Sequence, residues 1–304
     1  LEQFQPEFGG ERRRLWITKM RAVGYRGGYH DYTIRTGGMI VFPRVVAAQH
    51  RSRRPAEVFP SGIAALDALL GGGLERATST LVMGPAGSGK STFAALFARA
   101  CAERGERAAV FLFDEARETL LARMRGTGMD LTPHVTAGRI AVQQIDPAEL
   151  SPGEFLQRVR AAADDELCRV VVIDSVNGLL QAMPDEHFVM LQLHDLLMYL
   201  GQRGVLTLLV VAEHGLVGRS LAGPADVSYL ADTVVLVRYF ETAGEVKKAI
   251  SVVKKRTGAH ESTIREYEIG STGIRLGGSL TGFRGVLTGT PTWAAAGRQR
   301  GSKA

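Results

Sequence analysis

The residues with the clearest chemistry form the stretch GPAGSGKS at positions 84–91. It matches the pattern G-x-x-x-x-G-K-[ST] in full, through Gly84, Gly89, Lys90 and Ser91. In such a loop the backbone N–H groups surround a β-phosphate, the lysine reaches the β- and γ-phosphates, and the hydroxyl binds Mg²⁺. An apolar segment precedes the loop and a helix-forming segment follows it, as the pattern requires. The predicted nucleotide-binding residues are therefore Gly84, Pro85, Ala86, Gly87, Ser88, Gly89, Lys90, Ser91 and Thr92.

Acidic residues follow two other apolar segments. Asp174 ends RVVVID and is predicted, together with Ser91, to bind Mg²⁺. The adjacent Asp114 and Glu115 end VFLFDE, and at least one is predicted to orient or deprotonate the nucleophile. Helix capping describes Asp114 well and leaves Glu115 as the catalytic residue, but the sequence is equally compatible with the reverse assignment.

These residues need a scaffold that brings strand ends together. Apolar runs predict strands at 80–83, 108–113, 169–173, 205–211, 232–238 and 248–254. Helices are predicted at about 91–104, 116–127, 151–164 and 187–203, the third beginning with Ser151 as cap, Pro152 and a capping-box Glu154. This alternation indicates an α/β fold with a mostly parallel central sheet and helices on both faces. Ligands of such folds bind beyond the carboxyl ends of the strands.

Composition limits the function classes. The 304 residues are 45% hydrophobic, and no apolar run approaches the roughly 20 residues of a membrane span. Two cysteines, Cys101 and Cys168, favour buried thiols in a reducing compartment, so we expect a cytoplasmic protein without a membrane partner. The net charge is +6, but residues 1–56 carry +7 and the remainder −1. A nucleic-acid partner is therefore not expected, and RSRRP at 51–55 is interpreted as a linker.

An internal repeat suggests a duplicated protein. Shifting the chain by 235 residues places residues 12–42 on 247–277, with Lys19 on Lys254 and Arg21 on Arg256. A period this long is typical of a domain duplication. Because the chain also begins with Leu1, we expect it to be a fragment, with the end of a preceding copy at its start.

Several stretches together resemble a KaiC-type ATPase domain of the RecA superfamily. They are FPSGIAALDALLGGGLERATSTLVMGPAGSGKST, FDEA, VVVIDS, LVVAEHG, VVKKRTGAHESTIREYEIGSTGIRLGG and FRGVLTG. The resemblance implies a RecA-like P-loop NTPase, with ATP and Mg²⁺ as ligands. It also implies four regions: the end of a first lobe at 1–43, a basic linker at 44–57, the ATPase domain at 58–290 and a flexible tail at 291–304.

The resemblance further implies a homo-oligomer, a hexameric ring with ATP between neighbouring subunits. A K-x-R pair from one subunit would reach the phosphate bound by the next, and Lys254 and Arg256 match that pair, with His260 at the family's following histidine position. Such a pair would add positive charge where the transferred group becomes negative. Lys19 and Arg21 match the same pair in the first lobe and are assigned no catalytic role.

Three more residues receive roles through the resemblance. Ser228 matches the serine of a phosphorylated Ser-Thr pair, whereas Tyr229 replaces the threonine and argues against two-site phosphorylation. Glu213 and His214 end a central strand where relatives sense the γ-phosphate, and the loop 215–226 is expected to face the ring centre.

The function predicted from these features is an ATP-hydrolysing KaiC-like ring ATPase with serine autokinase activity, acting as a conformational switch that protein partners read. One alternative is a RecA-like DNA-dependent ATPase, which the charge of the main domain disfavours. Another is an ATP-gated scaffold with little turnover.

Overall fold

The computed structural model of the chain describes residues 1–6, 9–46, 57–181, 186–213, 227–287 and 292–293. Its helices are α1 (Ala64–Leu69), α2 (Lys90–Glu103), α3 (Arg117–Gly126), α4 (Thr132–Thr136), α5 (Pro152–Asp164), α6 (Val176–Gln181) and α7 (Glu186–Gln202). A single 3₁₀ turn covers Val227–Tyr229 in the described part of the chain.

The strands fall into one large and three small sheets. They are β1 (Glu2–Phe4), β2 (Arg12–Leu15), β3 (His30–Arg35), β4 (Gly38–Phe42), β5 (Val58–Phe59), β6 (Leu74–Glu75), β7 (Ser79–Gly84), β8 (Arg107–Leu112), β9 (Ile140–Gln144), β10 (Cys168–Asp174), β11 (Leu206–Ala212), β12 (Thr233–Thr242), β13 (Glu245–Lys255), β14 (Arg265–Gly270), β15 (Gly273–Ser279), β16 (Phe283–Arg284) and β17 (Thr292–Trp293).

The large sheet has nine strands in the order β15-β14-β13-β12-β7-β11-β10-β8-β9. The six strands from β12 to β9 run parallel, and β13, β14 and β15 extend the sheet as antiparallel strands. The prediction of a mostly parallel α/β sheet is thus confirmed, and each predicted strand and helix is present.

Two hydrophobic layers cover this sheet, one on each face. On the first face, α2 contributes Phe93 and Phe97, which pack with Val82, Val110 and Val172 of the strands. On the second face, side chains of α5, α6 and α7 pack against the alternate residues of the same strands. Because successive strand residues point to opposite faces and both faces are covered, most residues of these buried strands are apolar.

The start of α5 follows the sequence signal only in part. Pro152 is the first helical residue, and Ser151 Oγ accepts a hydrogen bond from the Glu154 N–H at 3.1 Å. The prediction of a capping box is wrong, because Glu154 Oε1 accepts from Arg35 and Arg158 instead. The Ser151 cap is therefore present, but the Glu154 side chain forms ion pairs with Arg35 of the N-terminal sheet and Arg158 of α5.

The N-terminal strands β1 to β4 form a separate antiparallel sheet that packs on α5. Asp31 Oδ2 accepts a hydrogen bond from the Gly153 N–H at 2.7 Å, and Arg35 pairs with Glu154 at 2.8 Å. The carboxylate of Asp31 therefore supplies an anion at the amino end of α5, where unpaired N–H groups and the helix dipole favour negative charge.

The cysteines, the helix lengths and the C-terminal segment can also be compared with the sequence predictions. Cys101 and Cys168 are buried free thiols, as predicted. Within the described ranges, every helix is too short or too polar to traverse a lipid bilayer. Thr292 and Trp293, within the predicted flexible tail, form β17 and pair with β16. Residues 47–56 and 294–304 lie outside the described residues.

Candidate nucleotide-binding site

The sheet brings the predicted loop and acids to one edge. The register pairs Gly84 of β7 with Ala212 of β11, and Asp174 of β10 with Leu112 of β8. The segments that follow these residues therefore leave the sheet side by side. A cavity of about 450 Å³ opens at this edge. It is lined by Ala86, Gly87, Gly89, Lys90, Ser91, Thr92, Asp114, Glu115, Arg123, Thr127, Asp174, Ser175, Val210, Ala212, Lys248 and Ile269.

The loop between β7 and α2 is packed tightly against the antiparallel strands. Gly89 has a φ of +102°, and a Cβ there would collide with the Ile269 side chain. Tyr239 donates its hydroxyl hydrogen to the Ala86 carbonyl at 3.1 Å, and Tyr267 donates to the Gly89 carbonyl at 3.4 Å. The glycine is thus required both by its conformation and by the close approach of β14.

Lys90 is the cation of the loop and is held at the base of the cavity. The residue is 7% exposed, and its ammonium donates a hydrogen bond to the Pro85 carbonyl at 2.7 Å. Burial lowers the pKa of Lys90 to about 8, while the nearby Asp174 carboxylate opposes that shift. A buried cation of this kind has lost much of its hydration, so binding of a phosphate anion here would relieve an existing electrostatic cost.

Asp174 and Ser91 both line the cavity. Burial raises the pKa of Asp174 to about 6, while the nearby Ser91 hydroxyl opposes that shift. A hydroxyl beside a carboxylate is the oxygen donor set of a Mg²⁺ that is completed by water and phosphate oxygens. The described residues contain no cluster of three or more His, Cys, Asp or Glu side chains suited to a metal ion.

Asp174 gives a pH-dependent stability prediction. Its folded-state pKa is raised from 3.8 to about 6, so its contribution to stability is present below pH 4 and is lost as the pH rises through 6. Asp174→Asn should therefore stabilise the ligand-free chain at pH 7 by on the order of 3 kcal/mol, and most of that gain should be lost at pH 4. Urea unfolding of both proteins at the two pH values measures this difference. An equal difference at both pH values would contradict the prediction.

The two neighbouring acids after β8 have different partners. Asp114 accepts a hydrogen bond from the Ser175 hydroxyl, which in turn accepts from the Gly178 N–H at 3.2 Å. Helix capping, the alternative interpretation of Asp114, does not apply, because Ala116 is the N-cap of α3 and no side chain caps that helix. Glu115 pairs with Arg123, and both acids line the cavity.

Sequence reasoning missed two cations of this site. Arg123 of α3 bridges Glu115 and the Thr92 hydroxyl, the latter at 2.6 Å. Lys248 of β13 lines the cavity, and burial lowers its pKa. Lys248 lies in register with Tyr239 and Tyr267, the two tyrosines that contact the loop. That cross-strand alignment identifies Lys248, but it becomes visible only once the strand pairing is known.

Lys254 and Arg256 lie away from this cavity. Lys254 of β13 pairs with Val234 of β12, which in turn pairs with Leu81 of β7. Leu81 lies three residues before Gly84, so the Lys254 backbone is about 10 Å along the strand direction from the start of the loop. Lys254 donates to the carbonyls of Ser228 and Ala231 at 2.9 and 2.7 Å. Arg256 is 54% exposed and pairs with Asp232 at 3.3 Å. Neither cation, nor His260, lines the cavity of its own subunit.

Of the remaining predicted site residues, Glu213 lies beside the P-loop, whereas Ser228 lies beside Lys254 at the opposite ends of the parallel strands. The Glu213 N–H donates to the Gly84 carbonyl at 3.0 Å, and its carboxylate forms a bidentate ion pair with Arg238. Glu213 is therefore adjacent to the loop but already has a charged partner. Ser228 belongs to the 3₁₀ turn next to Lys254. His214 and the loop 215–226 lie outside the described residues.

The sheet, the glycine-rich loop and the acidic strand ends define a P-loop NTPase with a RecA-like fold. The chain belongs to the KaiC family of ATPases, since residues 59–280 match the family described as "ATPase: KaiC". This confirms the family resemblance found in the sequence.

Individual relatives agree with this assignment. The chain is 29% identical over 287 residues to the circadian clock oscillator protein KaiC of Synechococcus elongatus, covering 93% of this chain and 54% of that protein. It is 28% identical over 286 residues to the circadian clock oscillator protein KaiC of Thermostichus vulcanus, with coverages of 93% and 54%. It is 27% identical over 286 residues to the circadian clock protein KaiC3 of Synechocystis sp., with coverages of 93% and 56%. The chain thus spans about half the length of the curated relatives it matches.

Proposed function

We propose that this chain hydrolyses Mg-ATP in a homo-oligomeric ring, as a hexamer with each nucleotide between two subunits. The observation that supports this proposal best is the separation of two sets of cations within one subunit. Lys90 lies in the cavity, whereas Lys254 and the exposed Arg256 lie at the opposite ends of the strands. A head-to-tail contact between identical subunits would place one set against the other, and such contacts close into rings.

The roles in the reaction follow from position and charge. Lys90 and the loop N–H groups would hold the β- and γ-phosphates, and Ser91 with Asp174 would hold Mg²⁺. The metal would supply a positive charge to the phosphate oxygens. Glu115 is favoured over Asp114 to orient the attacking water, because the Ser175 hydroxyl already engages Asp114. Lys254 and Arg256 of the next subunit would stabilise charge on the transferred group.

The N-terminal sheet supports a further part of this proposal, that residues 1–43 end a preceding lobe. Strands β3 and β4 each begin 235 residues before β14 and β15. Both sets belong to an antiparallel meander with the same strand order, β1-β2-β3-β4 and β12-β13-β14-β15. Ile34 and Met39 are 58% and 53% exposed, whereas their equivalents Ile269 and Ile274 pack against the core of the ATPase domain.

Serine autophosphorylation is a second candidate activity of the same site. The carbonyl of Ser228 accepts a hydrogen bond from Lys254, so Ser228 lies on the surface that carries the cations proposed to face the neighbour's γ-phosphate. Its hydroxyl would then attack in place of water, while its proton passes to Asp114 or Glu115 and ADP leaves. Phosphorylation would add negative charge beside Lys254 and Arg256, and so provide a switch for partner proteins to read.

One incubation with Mg-ATP tests both activities. We expect steady phosphate release by the purified chain and a phosphopeptide that contains Ser228, detected by mass spectrometry. Ser228→Ala should remove the phosphopeptide and leave phosphate release within about twofold, since hydrolysis does not use this hydroxyl. Absence of phosphate release from assembled protein would favour the ATP-gated scaffold instead.

Adding single-stranded DNA to the same assay tests the DNA-dependent alternative. We expect turnover to be unchanged by DNA at low salt, where non-specific binding would be strongest. Stimulation that weakens as salt is raised would support a DNA-dependent ATPase and contradict the proposed function.

A further inference from the structure

The residue between the two proposed trans-acting cations has a separate environment. Lys255 is the last residue of β13, between Lys254 and Arg256. Its side chain is 1% exposed, whereas that of Arg256 is 54% exposed. Alternation along the strand directs Lys255 away from its neighbours, so its ammonium points into the domain.

The ammonium of Lys255 contacts the turn that follows α1. It donates hydrogen bonds to the carbonyls of Leu70 at 2.6 Å and Gly73 at 3.2 Å. The carboxylate of Glu75 lies 3.7 Å away. Leu70 is the C-cap of α1, where unpaired carbonyls carry partial negative charge. Lys255 therefore joins the end of β13 to a second element through three contacts.

The chain after Lys255 rests on the same turn. The Glu261 N–H donates to the Leu69 carbonyl at 3.0 Å. Gly71 has a φ of +73°, and a Cβ there would collide with the Ala259 carbonyl oxygen. The turn after α1 thus forms a platform, residues 69–75, on which residues 255–261 lie in direct contact. This segment includes Arg256 and His260.

Burying the ammonium of Lys255 costs free energy, because its hydration is lost and an apolar side chain of similar length could pack there. What the ammonium adds is a set of directional hydrogen bonds, because its N–H groups fix the position of the strand end relative to two carbonyl groups. One oxygen of Glu75, Oε2, is buried without a hydrogen-bond partner among the described residues, so Lys255 also supplies the nearest opposing charge.

We propose that Lys255 is a positioning residue that locks the end of β13 onto the platform and so aims Arg256 at the neighbouring subunit's nucleotide. The inference rests on the proposed function, in which Arg256 acts across the subunit boundary. Lys255 itself does not touch the reacting atoms. Its removal should leave the P-loop intact and weaken catalysis only through the misplacement of Arg256.

The test is a double-mutant cycle on the full oligomeric chain. Phosphate release at varied Mg-ATP is measured for wild type, Lys255→Met, Arg256→Ala and the double variant. Lys255→Met should lower kcat about tenfold or more, with KM within about twofold, because small misplacements of charged groups are costly to turnover. In the Arg256→Ala background the same change should have no further effect on kcat.

The outcomes of the cycle distinguish failure of the role of Lys255 from failure of the role of Arg256. An unchanged kcat in Lys255→Met, or an equal loss in both backgrounds, would overturn the role of Lys255 while leaving that of Arg256. An unchanged kcat in Arg256→Ala would overturn both. Lys247→Met is the matched control, since Lys247 lies on the same strand, one third exposed and paired with Glu266 at 2.9 Å. It should keep wild-type kcat and KM.

A second variant, Glu75→Gln, tests the proposal if Lys255→Met does not fold. Glu75→Gln preserves the shape of the side chain and the two carbonyl contacts of Lys255, but removes the opposing charge. We expect a loss of kcat about threefold, again absent in the Arg256→Ala background. An unchanged kcat in Glu75→Gln would overturn the proposal.

Discussion

Replacing Lys90 with alanine should lower ATP turnover by at least about a hundredfold, the usual effect of removing one preorganised charge from a phosphate or oxyanion site. Lys90 is the buried cation of the cavity, and its ammonium donates to the Pro85 carbonyl of the same loop. Its charge is the main attraction for the terminal phosphates at the base of this site. Phosphate release at saturating Mg-ATP measures the effect directly.

The loss in Lys90→Ala should reflect chemistry and binding, and not unfolding. Burial lowers the pKa of Lys90 to about 8, so the folded protein disfavours this charge and its removal should not destabilise the ligand-free chain at pH 7. Thermal unfolding without nucleotide provides that control. Lys247 is one third exposed and lies outside the cavity, so Lys247→Ala should retain turnover. Wild-type turnover in folded Lys90→Ala protein would exclude the loop as the ATP site.

Replacing Arg256 with alanine should lower kcat by about a thousandfold while leaving nucleotide binding to the P-loop largely intact, as for other arginines supplied in trans. Arg256 is exposed, pairs with Asp232 at 3.3 Å and donates to the Tyr229 carbonyl at 3.2 Å. Because solvent-exposed contacts of this kind stabilise proteins only weakly, its loss should have little effect on folding. Binding of a fluorescent ATP analogue and phosphate release should therefore respond differently to this change.

Mixing two inactive proteins shows whether Arg256 acts across a boundary. A subunit with Arg256→Ala keeps its loop, and a neighbour with Lys90→Ala keeps its arginine. Equal mixing with random neighbours should restore about a quarter of the sites in a head-to-tail ring. Mixing Arg256→Ala with the Lys90→Ala/Arg256→Ala double variant is the control, and it should stay inactive. Absence of rescue in the first mixture would contradict catalysis across the subunit boundary.

The positions of most central strands could be predicted because their residues are mainly apolar on both faces of the sheet. Buried parallel strands such as β10 and β11 appear in the sequence as short apolar runs, and Asp174 marks a strand end by its polarity alone. The loop could be predicted because the spacing of its glycines, lysine and serine along the sequence determines the phosphate-binding conformation. Strand β9 was missed because its residues, IAVQQ, combine a short apolar run with polar residues.

Other parts of the site depend on pairings that a sequence does not contain. Lys248 faces the cavity because of its register with Tyr239 and Tyr267 on neighbouring strands. Asp114 had a plausible local role as a helix cap, but a contact with Ser175, 61 residues further along the chain, takes its place. Lys255 looks like one member of a basic run, and only its burial against α1 distinguishes it from its neighbours.

The central claim is that the cavity of one subunit is completed by the cations of another. The most direct measurement is a structure of the assembled chain with Mg²⁺ and a non-hydrolysable ATP analogue. The terminal phosphate should lie on Lys90 of one subunit and within hydrogen-bond distance of Arg256 from the next. A nucleotide enclosed within a single subunit, with every Arg256 remote from the γ-phosphate, would contradict the account.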